Sequence, residues 1–337
     1  MLLTRTRDDR TAAAWTARVP VAYAAFVVVA LAAWALLGDR WWTQPLNLTT
    51  FWWSLPGVVL APVALLVGRR RAALLFAVPA LVWVWSYGTL FLPNLSADDG
   101  PADLRVVSFN TLVAVNGVGH VLDLVDAEQP DVVLLQELFP ERLDALVDGL
   151  ADSHPHVASV VTEEIGGVAV FSRHPIVERL PVAMASGASR DTEVVVLDVD
   201  GQLVQVVPVH LTSPCLECGS SVADRLTDEA SRRTDELTTV LHTLRRGVPA
   251  IVGGDFNSTD RSDPYRLLTS AGFEDPHRLA GFGPGFTWPA DRGPFPVLRI
   301  DWVLTRGLGA VASHVGDGGD SDHLPVIIDL AFLDEEN

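Results

Sequence analysis

The chain of 337 residues contains no lysine, so all 24 of its basic residues are arginines. Acidic residues number 42 and the formal net charge is −18, which disfavours a general binder of the nucleic-acid backbone, because such proteins need basic surfaces. Only two cysteines are present, which excludes a small fold framed by disulfides. The hydrophobic content of 49% is too high for a disordered chain.

The two signs of charge are divided along the chain. Residues 1–97 carry eight Arg and three Asp, which sum to +5, whereas the remainder carries 16 Arg and 39 acidic residues, which sum to −23. Eight of the ten tryptophans also lie in the first 97 residues. The sequence therefore predicts two physically different parts.

Three uncharged apolar runs in residues 1–91 predict a three-helix transmembrane anchor. They cover 19–37, 49–68 and 72–91, and each is about long enough to cross the ~30 Å hydrocarbon layer as a helix. Buried core helices are the alternative. The first run could also be a signal peptide, but it is long for one and no small-x-small site follows it. The runs contain no charged residue, which disfavours a transporter.

The arginines predict the orientation of this anchor. Four precede the first run and three more occupy 69–71, whereas the loop between the first two runs holds only Arg40. By the positive-inside rule, the N-terminus lies in the cytoplasm and everything after residue 91 lies outside. We therefore predict a multi-pass protein of the cell membrane, with the lipid bilayer as its partner.

Residues 92–103 are rich in Pro, Gly and Asp and predict a linker, and residues 104–337 predict an α/β domain large enough for two packed sheets. The predicted strands are 104–110, 131–138, 156–162, 167–172, 193–199, 203–209, 249–253, 298–305 and 324–330. The predicted helices are 117–129, 139–151 and 222–246. The arginines of the last helix are interpreted as part of its solvated face.

Several predicted strands end in polar side chains that an apolar core does not need. Each has an ordinary alternative, since Asn and Asp form turns, a Glu at a strand end is usually solvated and a lone His is usually structural. Six such events on one domain instead predict a shared site. The residues are Asn110, Gln136, Glu137, His210, Asp255, Asn257, Asp301, Asp322 and His323.

Together these motifs resemble the endonuclease/exonuclease/phosphatase superfamily over about residues 104–330. The matching motifs are Ser-Phe-Asn at 108–110, Gln-Glu at 136–137, Gly-Val-Ala-Val-Phe-Ser-Arg at 167–173, Val-His-Leu at 209–211, Gly-Asp-Phe-Asn at 254–257, Thr-Trp at 287–288, Arg-Ile-Asp-Trp at 299–302 and Ser-Asp-His at 321–323. The resemblance implies a four-layer α/β sandwich of two packed sheets flanked by helices. It also implies a divalent metal, usually Mg²⁺ with Mn²⁺ as an alternative, and hydrolysis of phosphate esters.

The resemblance also implies metal ligands and substrate contacts. Asn110, Glu137 and Asp322 match metal-site positions, and their oxygen atoms suit Mg²⁺. Arg173 and Trp288 match positions that face the substrate. An ordinary surface Arg and a core Trp are the open alternatives for these two.

The implied catalytic residues are five. His323 matches the catalytic His, and Asp301 matches the carboxylate that hydrogen-bonds it. Asp255 matches the group that orients or deprotonates the attacking water. Asn257 and His210 match donors that hold the scissile phosphate. The assignment of acid and base stays open.

Cys215 and Cys218 follow the His210 motif closely. Two thiols without a nearby His are too few for a structural zinc site. Outside the cytoplasm a short-loop disulfide is the preferred interpretation, with two free thiols as the alternative.

Membership of a superfamily does not fix a substrate. The predicted anchor and the acidic outer domain favour a lipid-linked phosphate or pyrophosphate, or a phospholipid head group, on the extracytoplasmic face. An anchored extracellular nuclease is the alternative, with nucleic acid a disfavoured partner. A non-catalytic binding module is disfavoured because Glu137, Asp255 and His323 are all present. No protein partner is inferred.

Overall fold

The computed structural model describes residues 7–92, 100–112, 117–162, 166–184, 191–213 and 221–333. The chain divides into two compact units, Met1–Phe91 and Leu92–Asn337. Most of the predicted linker lies outside the described residues, as do Cys215 and Cys218. The pairing of these two cysteines therefore stays a prediction.

The first unit is helical. Its elements are α1 Arg7–Leu37, α2 Gln44–Leu48, α3 Thr50–Leu66, α4 Arg70–Tyr87 and a 3₁₀ turn Gly88–Phe91. Two segments are long and apolar enough to cross a membrane: Arg18–Leu37, with 20 residues and a mean hydropathy of 2.2, and Arg70–Phe91, with 22 residues and a mean hydropathy of 1.7. The segment predicted as the second span forms α3, which is apolar but has only 17 residues.

Close packing of α3 on α4 depends on a glycine. A Cβ atom on Gly57 would lie 2.5 Å from the backbone nitrogen of Ala80 and 2.7 Å from Cγ of Pro79, so a larger residue would push the helices apart. Many apolar side chains of this unit point outward, such as Leu66 and Trp85. Exposed apolar surface of this kind is expected of helices that face lipid.

The second unit contains two β-sheets. Its strands are β1 Leu104–Asn110, β2 Val132–Gln136, β3 His156–Thr162, β4 Gly166–Ser172, β5 Ile176–Val182, β6 Thr192–Val199, β7 Gln202–His210, β8 Ala250–Asp255, β9 Asp301–Arg306, β10 Leu308–Val315 and β11 Val326–Phe332. Its helices are α5 Gly119–Glu128, α6 Pro140–Leu150, α7 Val222–Thr243, α8 Asp263–Ser270 and α9 Pro276–Ala280. The strand orders are β10-β11-β1-β2-β4-β3 and β5-β6-β7-β8-β9.

The two sheets pack face to face, with helices on the outside. Leu134 of the first sheet and Ile251 of the second belong to one buried cluster between the sheets. Leu146 of α6 packs on the outer face of the first sheet, and Leu237 of α7 packs on the outer face of the second. The predicted sandwich of two sheets flanked by helices is therefore confirmed.

Each sheet contains one parallel pair of strands joined by a crossover that includes a helix. In the first sheet β1 leads through α5 to β2, and in the second β7 leads through α7 to β8. The carboxyl ends of all four strands lie at the same end of the sandwich, with Asn110 opposite Gln136 and His210 opposite Asp255 in the register.

Glycines allow close approach at this end of the sandwich. A Cβ atom on Gly254 would lie 1.8 Å from the carbonyl oxygen of Val209 on the neighbouring strand. A Cβ atom on Gly253 would lie 2.7 Å from Cδ1 of Leu134, which belongs to the opposite sheet. Gly254 therefore requires glycine for steric reasons, whereas a Cβ at Gly253 would displace the end of the Leu134 side chain.

Candidate active site

Polar side chains from both sheets meet where the parallel strands end. Asn110 ends β1, Glu137 follows β2, His210 ends β7 and Asp255 ends β8. Asp301 begins the antiparallel strand β9 beside Asp255, and His323 lies shortly before β11. The structure thus brings together the side chains that the strand ends predict.

The amide of Asn110 joins two carboxylates from different sheets. Its Nδ2 atom donates to Oε1 of Glu137 at 3.2 Å and to Oδ2 of Asp255 at 3.1 Å. Its Oδ1 atom accepts from the backbone N–H of Leu112 at 3.2 Å. In this orientation Asn110 holds the two carboxylates close together, and it would have to turn its amide over to offer oxygen to a metal.

The imidazole of His210 faces the same two carboxylates. Its Nε2 atom lies 3.5 Å from Oδ2 of Asp255 and 3.8 Å from Oε1 of Glu137. The ring is buried, so its position depends on the surrounding chain rather than on solvent. His210 therefore directs Nε2 at the carboxylates that face the site.

His323 and Asp301 form a buried pair. Nδ1 of His323 lies 2.9 and 3.0 Å from the two carboxylate oxygens of Asp301, so Nδ1 carries the proton that this bond needs. Nε2 faces Asp255 Oδ2 and Asp322 Oδ1, each at 3.8 Å. Burial opposes the charged form, but the carboxylates of Asp301 and Asp255 outweigh it and raise the pKa of His323 to about 10. The cationic form is therefore favoured at neutral pH.

Asp255 lies at the centre of the cluster. Burial, together with the negative charges of Asp301 and Glu137, raises the pKa of Asp255, while His323 opposes this shift. Its Oδ1 atom accepts from the backbone N–H of Asn257 at 2.8 Å, and its Oδ2 atom accepts from Asn257 Nδ2 at 3.2 Å. A carboxylate with a raised pKa is suited to accept a proton during a reaction.

Asn257 lies beside the cluster, but its amide is engaged with the protein. Besides its bond to Asp255, Nδ2 of Asn257 donates to the carbonyl of Leu211 at 3.1 Å. In this arrangement Asn257 connects the loop after β8 to the chain after β7. Its predicted contact with a phosphate stays a prediction.

Asp322 and Trp288 form one side of the cluster. Trp288 Nε1 donates to Oδ2 of Asp322 at 3.2 Å. The other oxygen, Oδ1, is buried and has no hydrogen-bond partner among the described residues. Glu137, Asn257, Asp322 and Trp288 are all partly exposed, so they mark the side from which a substrate can enter.

Three left-handed residues lie directly beside this site. They are Leu112, Glu137 and Asn257, with φ angles of 50°, 59° and 49°. This conformation costs a non-glycine residue roughly 1–2 kcal/mol, least for Asn. Strain of this kind persists where the surrounding structure enforces it, and it is frequent at functional sites.

The donor set fits a divalent cation. Glu137 and Asp322 offer carboxylate oxygens at the partly exposed side of the cluster, and the oxygen Oδ1 of Asp322 lacks a hydrogen-bond donor among the described residues. Asp255, Asp301 and His323 also present possible ligand atoms within 4.8 Å of one another. Because His323 Nδ1 is already bonded to Asp301, we favour the carboxylate oxygens as ligands. Hard oxygen donors suit Mg²⁺ and Mn²⁺.

Arg173 does not belong to the site. Its backbone N–H donates to the carbonyl of Asp131 at 2.9 Å, and its Nη2 donates to Oε1 of Gln129 at 3.2 Å. Asp131 precedes β2, whereas Glu137 follows it, and the strand has five residues. Roughly 16 Å of extended chain therefore separates the two ends. Arg173 lies at the wrong end because β4 runs antiparallel to β2.

Two hydroxyl groups support the site. Ser321 Oγ donates to the carbonyl of Asn110 at 2.8 Å and accepts from the backbone N–H of His323 at 3.1 Å. Thr287 Oγ1 accepts from the backbone N–H of Asp301 at 3.3 Å. Both residues lie within motifs identified in the sequence, but their hydrogen bonds to the backbone of site residues are visible only in the structure.

Trp288 can be tested through its bond to Asp322. Replacing Trp288 with Phe keeps an aromatic ring but removes the only donor to Asp322 Oδ2 that the described residues provide. Since a hydrogen bond to a charged group contributes about 1.5–3 kcal/mol, we expect kcat/KM to fall about 10-fold or more. Trp302→Phe loses a similar bond, to the carbonyl of Ser258, and should lower thermal stability with little change in kcat/KM. Equal kcat/KM for Trp288→Phe and the wild type would contradict the role of Trp288.

Comparisons with known proteins identify the family of the chain. The model of the Endonuclease/Exonuclease/phosphatase family matches residues 107–323. A sphingomyelinase C of Bacillus cereus is 27% identical over 211 residues, which cover 51% of this chain and 62% of that protein. The chain thus spans less than two thirds of this relative.

Solved structures share the fold. An endonuclease/exonuclease/phosphatase from Beutenbergia cavernae has 24% identity and a TM-score of 0.53, with 68% of this chain and 71% of that chain covered. A humanized D. rerio TDP2 has 18% identity and a TM-score of 0.55, with 67% and 98% covered. At these identities the structural similarity supports the fold alone. Because the family model matches well over half of its residues, the chain belongs to the endonuclease/exonuclease/phosphatase family.

Proposed function

We propose that the chain is a metal-dependent hydrolase of phosphate esters. The observation that carries this proposal is the arrangement of Asp301, His323 and Asp255, in which the His323 imidazole lies between two buried carboxylates. This arrangement provides a proton donor and a proton acceptor on one small surface. A divalent ion bound at Glu137 and its neighbouring oxygens would neutralise charge on a phosphate oxygen.

The residues divide the proton transfers between them. Asp301 fixes the His323 tautomer by accepting from Nδ1, which leaves Nε2 facing the cluster. A proton on Nε2 can pass to the leaving oxygen of the ester. Asp255, with its raised pKa, can accept a proton from the attacking water. His210 Nε2 is placed to donate to the phosphate.

For the substrate, we propose a phosphate at a lipid surface, either a lipid-linked phosphate or pyrophosphate or a phospholipid head group. The name of the Bacillus cereus relative, sphingomyelinase C, supports a phospholipid. The two membrane-length helices support a position at a bilayer. The charge of −23 after residue 97 repels a polyanion such as DNA.

The proposed location is the extracytoplasmic face of the cell membrane. In this arrangement α1, α3 and α4 cross the bilayer, and the four arginines before the apolar run 19–37 and those at 69–71 keep those ends in the cytoplasm. The 17 residues of α3 are near the lower limit for a spanning helix, which requires ~17–25 residues.

A substrate panel tests this proposal. The full-length chain in detergent, with Mg²⁺ or Mn²⁺, would be assayed against sphingomyelin, phosphatidylcholine, undecaprenyl pyrophosphate and duplex and single-stranded DNA. We expect turnover of at least one lipid phosphate and a loss of activity to background after chelation with EDTA. Hydrolysis of DNA alone would defeat the lipid assignment, and activity that survives EDTA would defeat the metal dependence. His323→Ala controls for contaminating hydrolases.

A further inference from the structure

Two buried charged residues of α7 lie close to the chain that follows His210. Arg233 and Glu236 are only 2% and 3% exposed. They are three residues apart and so share one face of the helix. On that same face, Leu237 and Val240 are buried in the apolar core. The charged pair therefore interrupts an apolar stripe, and Arg233 does not belong to a solvated face as the sequence suggested.

Both residues bind Thr212. Glu236 Oε2 accepts from the backbone N–H of Thr212 at 3.0 Å, and Glu236 Oε1 accepts from its hydroxyl at 2.5 Å. Arg233 Nη1 donates to the carbonyl of Thr212 at 2.9 Å. The N–H, the hydroxyl and the carbonyl of this one residue are thus all bonded to α7.

Thr212 is connected to the active site through two residues. Its neighbour Leu211 donates its N–H to the carbonyl of Asp255 at 2.9 Å and accepts from Asn257 Nδ2 at 3.1 Å. The next residue back is His210, which faces Asp255 and Glu137. The segment 210–212 is therefore held on one side by site residues and on the other by α7.

We propose that Glu236 is a positioning residue that acts through Thr212 to hold the imidazole of His210 in the active site. This inference rests on the proposed function, because it assigns His210 a part in the reaction. A buried carboxylate is costly unless hydrogen bonds compensate for the water it loses. An apolar residue at position 236 would continue the buried stripe of α7 and would be enough for folding. The carboxylate at this position instead accepts hydrogen bonds from the backbone N–H and the hydroxyl of Thr212.

Replacement of Glu236 tests the inference. A misplacement of about 1 Å at a reacting group can cost ~10²-fold in rate, so we expect Glu236→Ala to lower kcat by about 10- to 100-fold. KM should change by less than about 3-fold, because the substrate does not touch Glu236. Glu236→Gln, which keeps an acceptor for Thr212, should recover most of the rate. Glu193→Ala is the matched control. Glu193 lies on β6 and is equally buried, and it pairs with Arg179 of the edge strand β5 at 2.7 and 2.8 Å.

A double-mutant cycle separates positioning from a general structural role. If Glu236 acts through His210, Glu236→Ala should cost less than about 2-fold in a His210→Ala background, because coupled residues are not additive. A full 10- to 100-fold loss in that background would overturn the inference, as would wild-type kcat in the single variant. If Glu236→Ala does not fold, Thr212→Val takes its place in the same cycle.

Amide hydrogen exchange gives a readout that needs no substrate. In the full-length chain, peptides that contain Leu211 and Thr212 should exchange faster in Glu236→Ala than in the wild type or in Glu193→Ala. Unchanged exchange would overturn the inference. If the wild type hydrolyses no member of the panel, the proposed function fails, and the exchange measurement still decides whether Glu236 holds this segment.

Discussion

Replacing His323 with Ala is expected to lower phosphate-ester turnover by ~10²- to 10⁴-fold, the range of a positioned acid or base. The variant removes the only ring that joins Asp301 to Asp255 within the described residues. It also removes a cation that these carboxylates stabilise, since they raise the pKa of His323 to about 10 despite its burial. Steady-state kinetics at saturating Mg²⁺ on the best substrate of the panel measures the effect.

The matched control for His323 is another histidine paired with a carboxylate. His314 lies 3.3 Å from Glu128 at the surface of β10, and His314→Ala should leave turnover unchanged. Asp301→Asn should lower turnover in the same direction as His323→Ala, because an amide does not stabilise the imidazolium. A rate for His323→Ala within about 3-fold of the wild type would refute the assigned proton transfer, given the size of effect expected.

Replacing Asp255 with Asn is expected to lower turnover by at least ~10²-fold, because the amide cannot accept a proton from water. The same variant should keep or raise the melting temperature in metal-free buffer. Burial and two neighbouring carboxylates already disfavour the charged form of Asp255, as its raised pKa shows. The isosteric amide removes that charge, and its oxygen still accepts from the backbone N–H of Asn257. Its Nδ2 replaces an oxygen that accepts from the amides of Asn110 and Asn257, so those amides turn over to offer it oxygen. Catalytic sites commonly sacrifice stability in this way.

Thermal unfolding and kinetics on one preparation measure both effects. Asp329→Asn is the control, because Asp329 bonds Arg105 at the opposite end of the sandwich. It should lower stability slightly and leave turnover intact. An Asp255→Asn protein that turns over normally would contradict the role of Asp255 as a proton acceptor. One that loses both turnover and stability would instead indicate a structural carboxylate.

Most strand positions could be predicted from the sequence, because apolar runs and the alternation of apolar and polar residues reflect which faces of a strand are buried. The predictions for 104–110 and 156–162 match β1 and β3 to the residue. The strands β5 and β10 were not predicted. Both lie at sheet edges, as β3 does, but polar residues interrupt their apolar pattern, such as Glu178 and Arg179 in β5. Their conformation depends on pairing with β6 and β11, which local sequence does not reveal.

The candidate site could be predicted where it depends on strand direction. Asn110, His210 and Asp255 end parallel strands, so their meeting follows from the α/β pattern. Arg173 was wrongly placed because its motif gives the sequence around β4 but not the direction of that strand beside β2. Glu236 gave no signal, since a charged residue on a long helix normally faces solvent. Its partner Thr212 is 24 residues away in the sequence.

The cross-sheet bond between Asn110 and Asp255 joins residues that are 145 positions apart. One half of the candidate site therefore belongs to the first sheet and the other half to the second, and the apolar layer between the sheets separates them. Leu134 meets the backbone of Gly253 in this layer, directly before Asp255. Interiors are packed closely enough that one added methylene displaces its neighbours. The distance between the two halves of the site thus depends on side chains of the apolar core.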